Sequence, residues 1–252
     1  MKKIAHRGFS ENYPENTLLA FQKALDGGVD AIETDLRLSL DNQPIIFHDD
    51  DLQRITGLNK TPESLTLNEL QALDAGSWFD RRYKDEKIPS LDELLHLCSA
   101  KATLILEIKY NPSTYQRLCE EIEKRIHDKP DWVEVSCFDD HVLEYMHQLN
   151  PNIKLHKVIK EASTLQNKDF ETRYGYTDYF DIDINLRNIV LEKGLIQKHK
   201  VIFWTADNED ISAEIKAGLY GVMRKKGDKG ERLLKFPRSH RLRLSTGLYD
   251  NN

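Results

Sequence analysis

Short apolar runs of strand length alternate with longer amphipathic runs along most of this chain, and that alternation restricts its fold more than any other feature. Strand-like runs fall at residues 3–6, 31–38, 44–48, 103–109, 132–138, 154–159, 179–184, 201–205 and 221–223. Helix-like runs fall at residues 17–25, 91–98, 115–126, 141–148, 188–197 and 210–217. Strands that alternate with helices are read as parallel βαβ units, because a parallel pair needs a long crossover connection. About eight such units in a chain of this size predict an α/β fold, the TIM (β/α)8 barrel. Residues 49–90 break the rhythm with turns, Pro62, Pro89 and one short helix-like run at 67–73. They are read as a small insertion after the second strand region, lying over one barrel mouth.

A chain of 252 residues can bury a substantial core. Its formal net charge of -6 and pI near 5.9 argue against a nucleic-acid partner, while its acidic residues can supply ligands to a hard cation. Cys98, Cys119 and Cys137 are an odd set without CxxC spacing. They are expected as buried reduced thiols, which suits a reducing compartment. The N-terminal MKKIAHRG has no apolar signal core, and no run reaches transmembrane length. The expectation is a cytoplasmic protein without stable membrane insertion. Oligomeric state is left open.

The strands carry charge where a plain core would not. Side chains along a strand alternate between faces, so Glu33, Asp35 and Arg37 share one face, and Ile32, Leu36 and Leu38 share the other with Thr34. Glu107 and Lys109 repeat the pattern against Leu104, Leu106 and Ile108. His6 and Arg7 close the first strand, and His48 closes the run that begins at Pro44. Each of these taken singly also fits a structural ion pair or a hydrogen-bonded histidine. Together they place three carboxylates, two histidines, an arginine and a lysine toward the C-terminal ends of strands, where a TIM barrel builds its active site. Burying so many charges is costly unless they pair or hold a metal. Three carboxylates without cysteine favour a hard divalent cation, Mg²⁺, Ca²⁺ or Mn²⁺. Arg7 and Lys109 beside it suit a phosphate, and two histidines suit acid–base work. Metal-assisted phosphoryl transfer is therefore the reading of the residues themselves.

An ordered series of motifs then resembles the glycerophosphodiester phosphodiesterase family. It runs HRG at residues 6–8, PENT at 14–17, E-x-D at Glu33 and Asp35, and HD at His48 and Asp49. The D-x-x-L-x-R-x-T-G stretch at 49–57, LTLNELQALDAGSWF at 65–79, IPSLDEL at 88–94, E-x-K at Glu107 and Lys109, and WTADN at 204–208 follow in order. The resemblance implies a TIM barrel that hydrolyses small-molecule glycerophosphodiesters to sn-glycerol 3-phosphate and an alcohol. It implies Glu33, Asp35 and Glu107 as metal ligands and His6 and His48 as the catalytic pair, with His6 favoured as base and His48 as leaving-group acid. It implies Arg7 and Lys109 as phosphate-side cations and Trp204 as a pocket wall. Gly8 is expected to let the backbone turn beside the phosphate, and Asn16 and Thr17 to cap the first helix. Alternatives are a lysophospholipase D-like or sphingomyelinase D-like activity on lipids, and a catalytically idle phosphate-binding barrel.

The resemblance weakens after residue 222, where the family usually carries a Thr-Asp or Thr-Asn pair and a closing helix. Here residues 224–252 hold nine Lys or Arg and three Asp or Glu. The expected division is a barrel over residues 1–222, with 49–90 inserted, and an atypical basic tail over 223–252. The tail reads as a divergent solvated extension or as a change of reading frame near Met223. Attachment to an anionic surface is the weaker reading, because no apolar stripe is sustained. Within the tail, a helix of a few turns around Glu231–Lys235 is expected, followed by a mobile extension and a thin cover over the first and last strands.

Overall fold

The structure is a computed structural model that describes residues 1–227. The expectations for the tail beyond them, including the short helix near Glu231, lie outside the described residues. Eight parallel strands form a closed barrel. They are β1 (Lys2–His6), β2 (Ala31–Leu38), β4 (Thr103–Ile108), β5 (Val133–Cys137), β6 (Leu155–Ile159), β7 (Tyr179–Asp183), β8 (Lys200–Trp204) and β9 (Gly221–Arg224). Closure comes from β1, which pairs with β2 on one side and with β9 on the other, Ile4 opposite Ala31 and Met223 respectively. The last strand runs on to Arg224, past the boundary expected at residue 222.

The remaining strand, β3 (Pro44–Ile46), is antiparallel to the end of β2, with Leu36 opposite Ile46. The run read at 44–48 is thus shorter than expected and is not a barrel strand. His48 lies in the loop just beyond it. The antiparallel return folds the chain back over the C-terminal end of β2, and His48 reaches the rim from there.

Alternation within the strands sets the two sides of the wall. Outward residues such as Ile32, Leu36, Leu104 and Leu106 pack with Phe21, Leu94 and Leu118 of the surrounding helices. Inward residues Ile4, Ala31, Ile105, Tyr179, Ile202 and Met223 fill the lower barrel as one apolar cluster. His6, Glu33 and Glu107 stand one step further along the same inward positions, whereas Glu134 and His156 lie level with Ile105 and Tyr179. This end of the barrel is a packed floor, so any opening must lie above it.

Local chemistry places the helices. Thr17 caps the helix Leu18–Asp26 by accepting a hydrogen bond from the Ala20 N–H at 3.2 Å. Ser90 and Glu93 form a reciprocal capping box at the start of Leu91–Cys98. The single helix expected over 188–197 is two, Arg187–Glu192 and Leu195–Lys198, because Gly194 adopts φ 63° between them. Short helices Ala162–Gln166 and Phe170–Arg173 occupy a connection that showed no helical stripe, since Leu165 and Phe170 are their only buried residues.

Residues 49–90 gather a separate small core from Leu52, Ile55, Leu65, Leu70 and Ile88, continuous with Ile45 and Phe47. Buried Arg37 fastens this segment to β2. Its Nη1 meets Glu63 at 3.3 Å, its Nη2 pairs with Asp50, and its Nε donates to the His48 carbonyl at 3.2 Å. Arg37 shares the face of Glu33 and Asp35 in sequence, yet its role is to hold the His48 loop.

Candidate active site

The acidic cluster forms where β2 and β4 run side by side. Their register sets Asp35 opposite Glu107, and the β1–β2 register sets His6 opposite Glu33. One carboxylate oxygen from each of Glu33, Asp35 and Glu107 lies within 4.8 Å of the others, and all three residues are buried. Asp35 Oδ1 meets Lys109 Nζ at 2.8 Å, and Asp35 Oδ2 meets Arg7 Nε at 3.1 Å. Lys109 also pairs with Glu107. Glu33 is less well served. Its Oε2 accepts the Arg7 backbone N–H at 3.3 Å and stands 3.8 Å from His6 Nε2, while Oε1 is buried without a hydrogen-bond partner.

Three carboxylates thus face two cations, and the pKa directions reflect the imbalance. Burial raises Glu33, with Asp35 and Glu107 adding to the effect. Burial also raises Glu107, with Lys109 opposing it. For Asp35, burial works upward, but Lys109 and Arg7 outweigh it and hold the carboxyl well below the usual range. An all-oxygen donor set with one orphaned buried oxygen and a surplus negative charge fits a hard divalent cation.

His6 and His48 approach this cluster from different elements. Arg7 and Gly8 turn the chain sharply after β1, both at positive φ, 57° and 77°. A Cβ on Gly8 would lie 2.7 Å from the backbone of Ala20, so glycine is required there by contact as well as by conformation. Burial, followed by the neighbouring Arg7 charge, lowers His6 to about 3. Burial also lowers His48, partly offset by Asp35 and by its bond to Asp49.

Several site residues escaped the sequence reading. Asn16, expected as a helix cap, sits at φ 57° and donates from Nδ2 to Asp35 Oδ2 at 2.7 Å, while Thr34 Oγ1 donates to Asn16 Oδ1 at 2.9 Å. Thr17 alone does the capping. Arg54, from the insertion, bonds Asp49 Oδ2 at 2.6 Å and Glu15 Oε1 at 2.7 Å, and Arg7 Nη1 reaches the same Glu15 oxygen at 3.0 Å. A chain of ion pairs therefore runs from Arg7 to His48. PENT, HD and D-x-x-L-x-R-x-T-G contain Glu15, Asn16, Asp49 and Arg54, but their distance along the chain hid the contacts.

The groups meet in one cavity of about 320 Å³. His6, Arg7, Glu33, His48, Glu107 and Lys109 line one side, with Asp35 buried behind Arg7 and Lys109. The opposite wall holds Trp204, whose Nε1 donates to the Asp181 carbonyl at 3.1 Å, and Phe138, packed edge-on to Trp204 at 5.8 Å. Below them, His156 bridges Asp181 at 3.0 Å through Nδ1 and Glu134 at 3.0 Å through Nε2. Burial disfavours a charged ring there, but Asp181 and Glu134 overcome it and push His156 up to about 9.

Comparison with known proteins shows the family of this chain. The profile of the glycerophosphoryl diester phosphodiesterase family matches residues 6–224. The glycerophosphodiester phosphodiesterase of Caldanaerobacter subterraneus subsp. tengcongensis is 31% identical over 228 residues, covering 87% of this chain and 92% of that protein. A solved phosphodiesterase of Oleispira antarctica, in complex with the product sn-glycerol-3-phosphate, superposes with a TM-score of 0.78 at 28% identity, covering 90% of this chain and 94% of that one. The Thermotoga maritima glycerophosphodiester phosphodiesterase shares the fold, with a TM-score of 0.73 at 24% identity. The chain belongs to the glycerophosphoryl diester phosphodiesterase family and is an enzyme of glycerophosphodiester hydrolysis.

Proposed function

We propose that the chain hydrolyses small glycerophosphodiesters to sn-glycerol 3-phosphate and an alcohol with the help of a divalent cation, Mg²⁺ or Ca²⁺, held by Glu33, Asp35 and Glu107. The observation that carries this reading is the convergence of three buried carboxylates, two cations and two histidines on a single cavity. Bound there, the cation would supply Lewis-acid polarisation of a phosphate oxygen. It would also turn the surplus negative charge of the cluster into a net positive one that matches a diester anion. Arg7 and Lys109 orient the phosphate and hold Asp35 ionised. The cavity lies at the small end of ligand sites, which favours a small diester over a lipid.

His6, kept neutral by burial and by Arg7, takes the proton from a glycerol hydroxyl as its oxygen attacks phosphorus and the bond to the alcohol breaks, and water then opens the resulting cyclic phosphate to glycerol 3-phosphate. His48 returns a proton to the departing alcohol oxygen. At His48, burial, Lys109 and Arg7 work against the doubly protonated ring that this role needs, and Asp35 and the Asp49 carboxylate at Nδ1 partly restore it. Trp204 bounds the cavity opposite the metal cluster. The same proposal takes the barrel through Arg224, with residues 49–90 as an insertion that carries Arg54 to the rim. Among the described residues no helix is long and apolar enough to cross a membrane. We place the chain in the cytoplasm, where the buried free Cys98, Cys119 and Cys137 stay reduced. The deciding experiment is a product assay for glycerol 3-phosphate with soluble diesters, after chelation and after return of Mg²⁺, Ca²⁺ or Mn²⁺. Metal-restored turnover supports the reading, and turnover indifferent to chelation defeats its metal part.

A further inference from the structure

One charge on the cavity wall has no task in this mechanism. Lys160 follows β6 directly and shares the inward alternation of His156 and Val158. It lines the same cavity as His6 and Arg7. Counted round the barrel, β6 lies opposite β1, so Lys160 stands across the mouth from the strand end that carries His6 and Arg7.

The other cations of the cavity are committed, and so is Asp181. Arg7 pairs with Glu15 and Asp35, Lys109 with Asp35 and Glu107, and Asp181 with His156. Glu134, on the far side of His156, also has Lys154 at 3.7 Å. Lys160 has no hydrogen bond or ion pair among the described residues. It is exposed, so holding its charge costs little, and its flexible stem can deliver a compact ammonium to anions in more than one position.

We infer that Lys160 selects the leaving alcohol, favouring glycerophosphodiesters whose alcohol carries a second negative charge, such as a phosphate monoester, over those that carry an ammonium group. The inference rests on the hydrolase reading above and adds the charge class of the substrate. The diester phosphate is met by Arg7, Lys109 and the metal cluster, so a cation across the mouth meets whatever the alcohol carries. Phe138 and Trp204 on the same wall offer ring surface of the kind that holds a quaternary ammonium. A like charge lining the same cavity opposes that use.

The test uses the full chain and three soluble diesters of glycerol 3-phosphate: with choline, with glycerol, and with glycerol bearing a terminal phosphate. The glycerol diester is the neutral reference. The wild-type chain should prefer the phosphate-bearing alcohol to choline in kcat/KM. Lys160→Met should cut that preference about fivefold, and Lys160→Glu about tenfold or more, as expected for a partly solvated charge pair removed or reversed. The change should lie in KM, and the wild-type preference should shrink with added salt. A preference unmoved in both variants would overturn the assignment, as would a wild-type preference for choline. Failure of the wild-type chain to hydrolyse any of the three with any metal would instead overturn the hydrolase reading beneath it.

Discussion

Asp49 Oδ1 lies 2.7 Å from His48 Nδ1, and its other oxygen is held by Arg54 Nε at 2.6 Å. Two residues of the insertion thereby aim a histidine that no strand holds. The Asp49 carboxyl is itself held low: burial works against the charge, but the bonds from Arg54 and His48 prevail. Replacing Asp49 by Asn keeps the shape and removes the charge that favours a protonated ring. Turnover should fall about tenfold to a hundredfold, and the His48 limb of the pH–rate profile should move to lower pH. Metal affinity, measured by calorimetry, should change little. A profile with an unmoved limb would assign Asp49 to structure alone.

Glu107→Gln should preserve the fold and weaken divalent-cation binding by at least about tenfold, because one anionic ligand becomes a neutral one. Burial raises both Glu33 and Glu107, so protons compete with the cation. Metal affinity of the wild-type chain should therefore fall as pH falls, and isothermal titration across the weakly acidic range checks both expectations. Equal affinity in wild type and variant would remove Glu107 from the ligand set.

His6→Ala and His48→Ala should each lower kcat by at least about a hundredfold while metal binding persists. The wild-type rate should be bell-shaped in pH, with His6 setting the acidic limb and His48 the alkaline limb, both displaced downward because burial lowers both imidazoles. Near-normal turnover in His48→Ala would rule out its role as the leaving-group acid.

The buried bridge Glu134–His156–Asp181 makes stability depend on alkaline pH. His156 is pushed up to about 9 in the fold, above its ordinary value near 6.5 in an unfolded chain. Its contribution is therefore complete below about pH 6.5 and is lost as pH rises through about 9, a change of at most about 3 kcal/mol. Urea unfolding at about pH 6 and about pH 9.5 should show that loss. Glu134→Gln removes one of the two carboxylates that raise the ring, so the loss should shrink. An equal pH dependence in wild type and variant would contradict a charged His156.

The alternation of strand-like and helix-like runs along the chain predicted a barrel, and the alternation of apolar and charged residues within 31–38 and 103–109 set Glu33, Asp35 and Glu107 on inward faces, because strand parity is a local property of the backbone. Composition and motif order carried the chemistry from there to a phosphodiesterase. Tertiary structure decided what parity cannot express. Asn16 reads as a helix cap until β2 brings Asp35 to its amide, and Arg37 reads only as a neighbour of Glu33 and Asp35 on one face until the insertion gives it Asp50 and Glu63. His48 reads as the end of a strand, yet it is a loop residue aimed by Asp49 and held at its backbone by Arg37. Lys160 becomes a cavity residue only when β6 closes the wall opposite β1. Side-chain direction along one strand follows from sequence. The identity of a charged group's partner is settled by ring closure and by the path of a long insertion, which bring together residues that no local spacing relates.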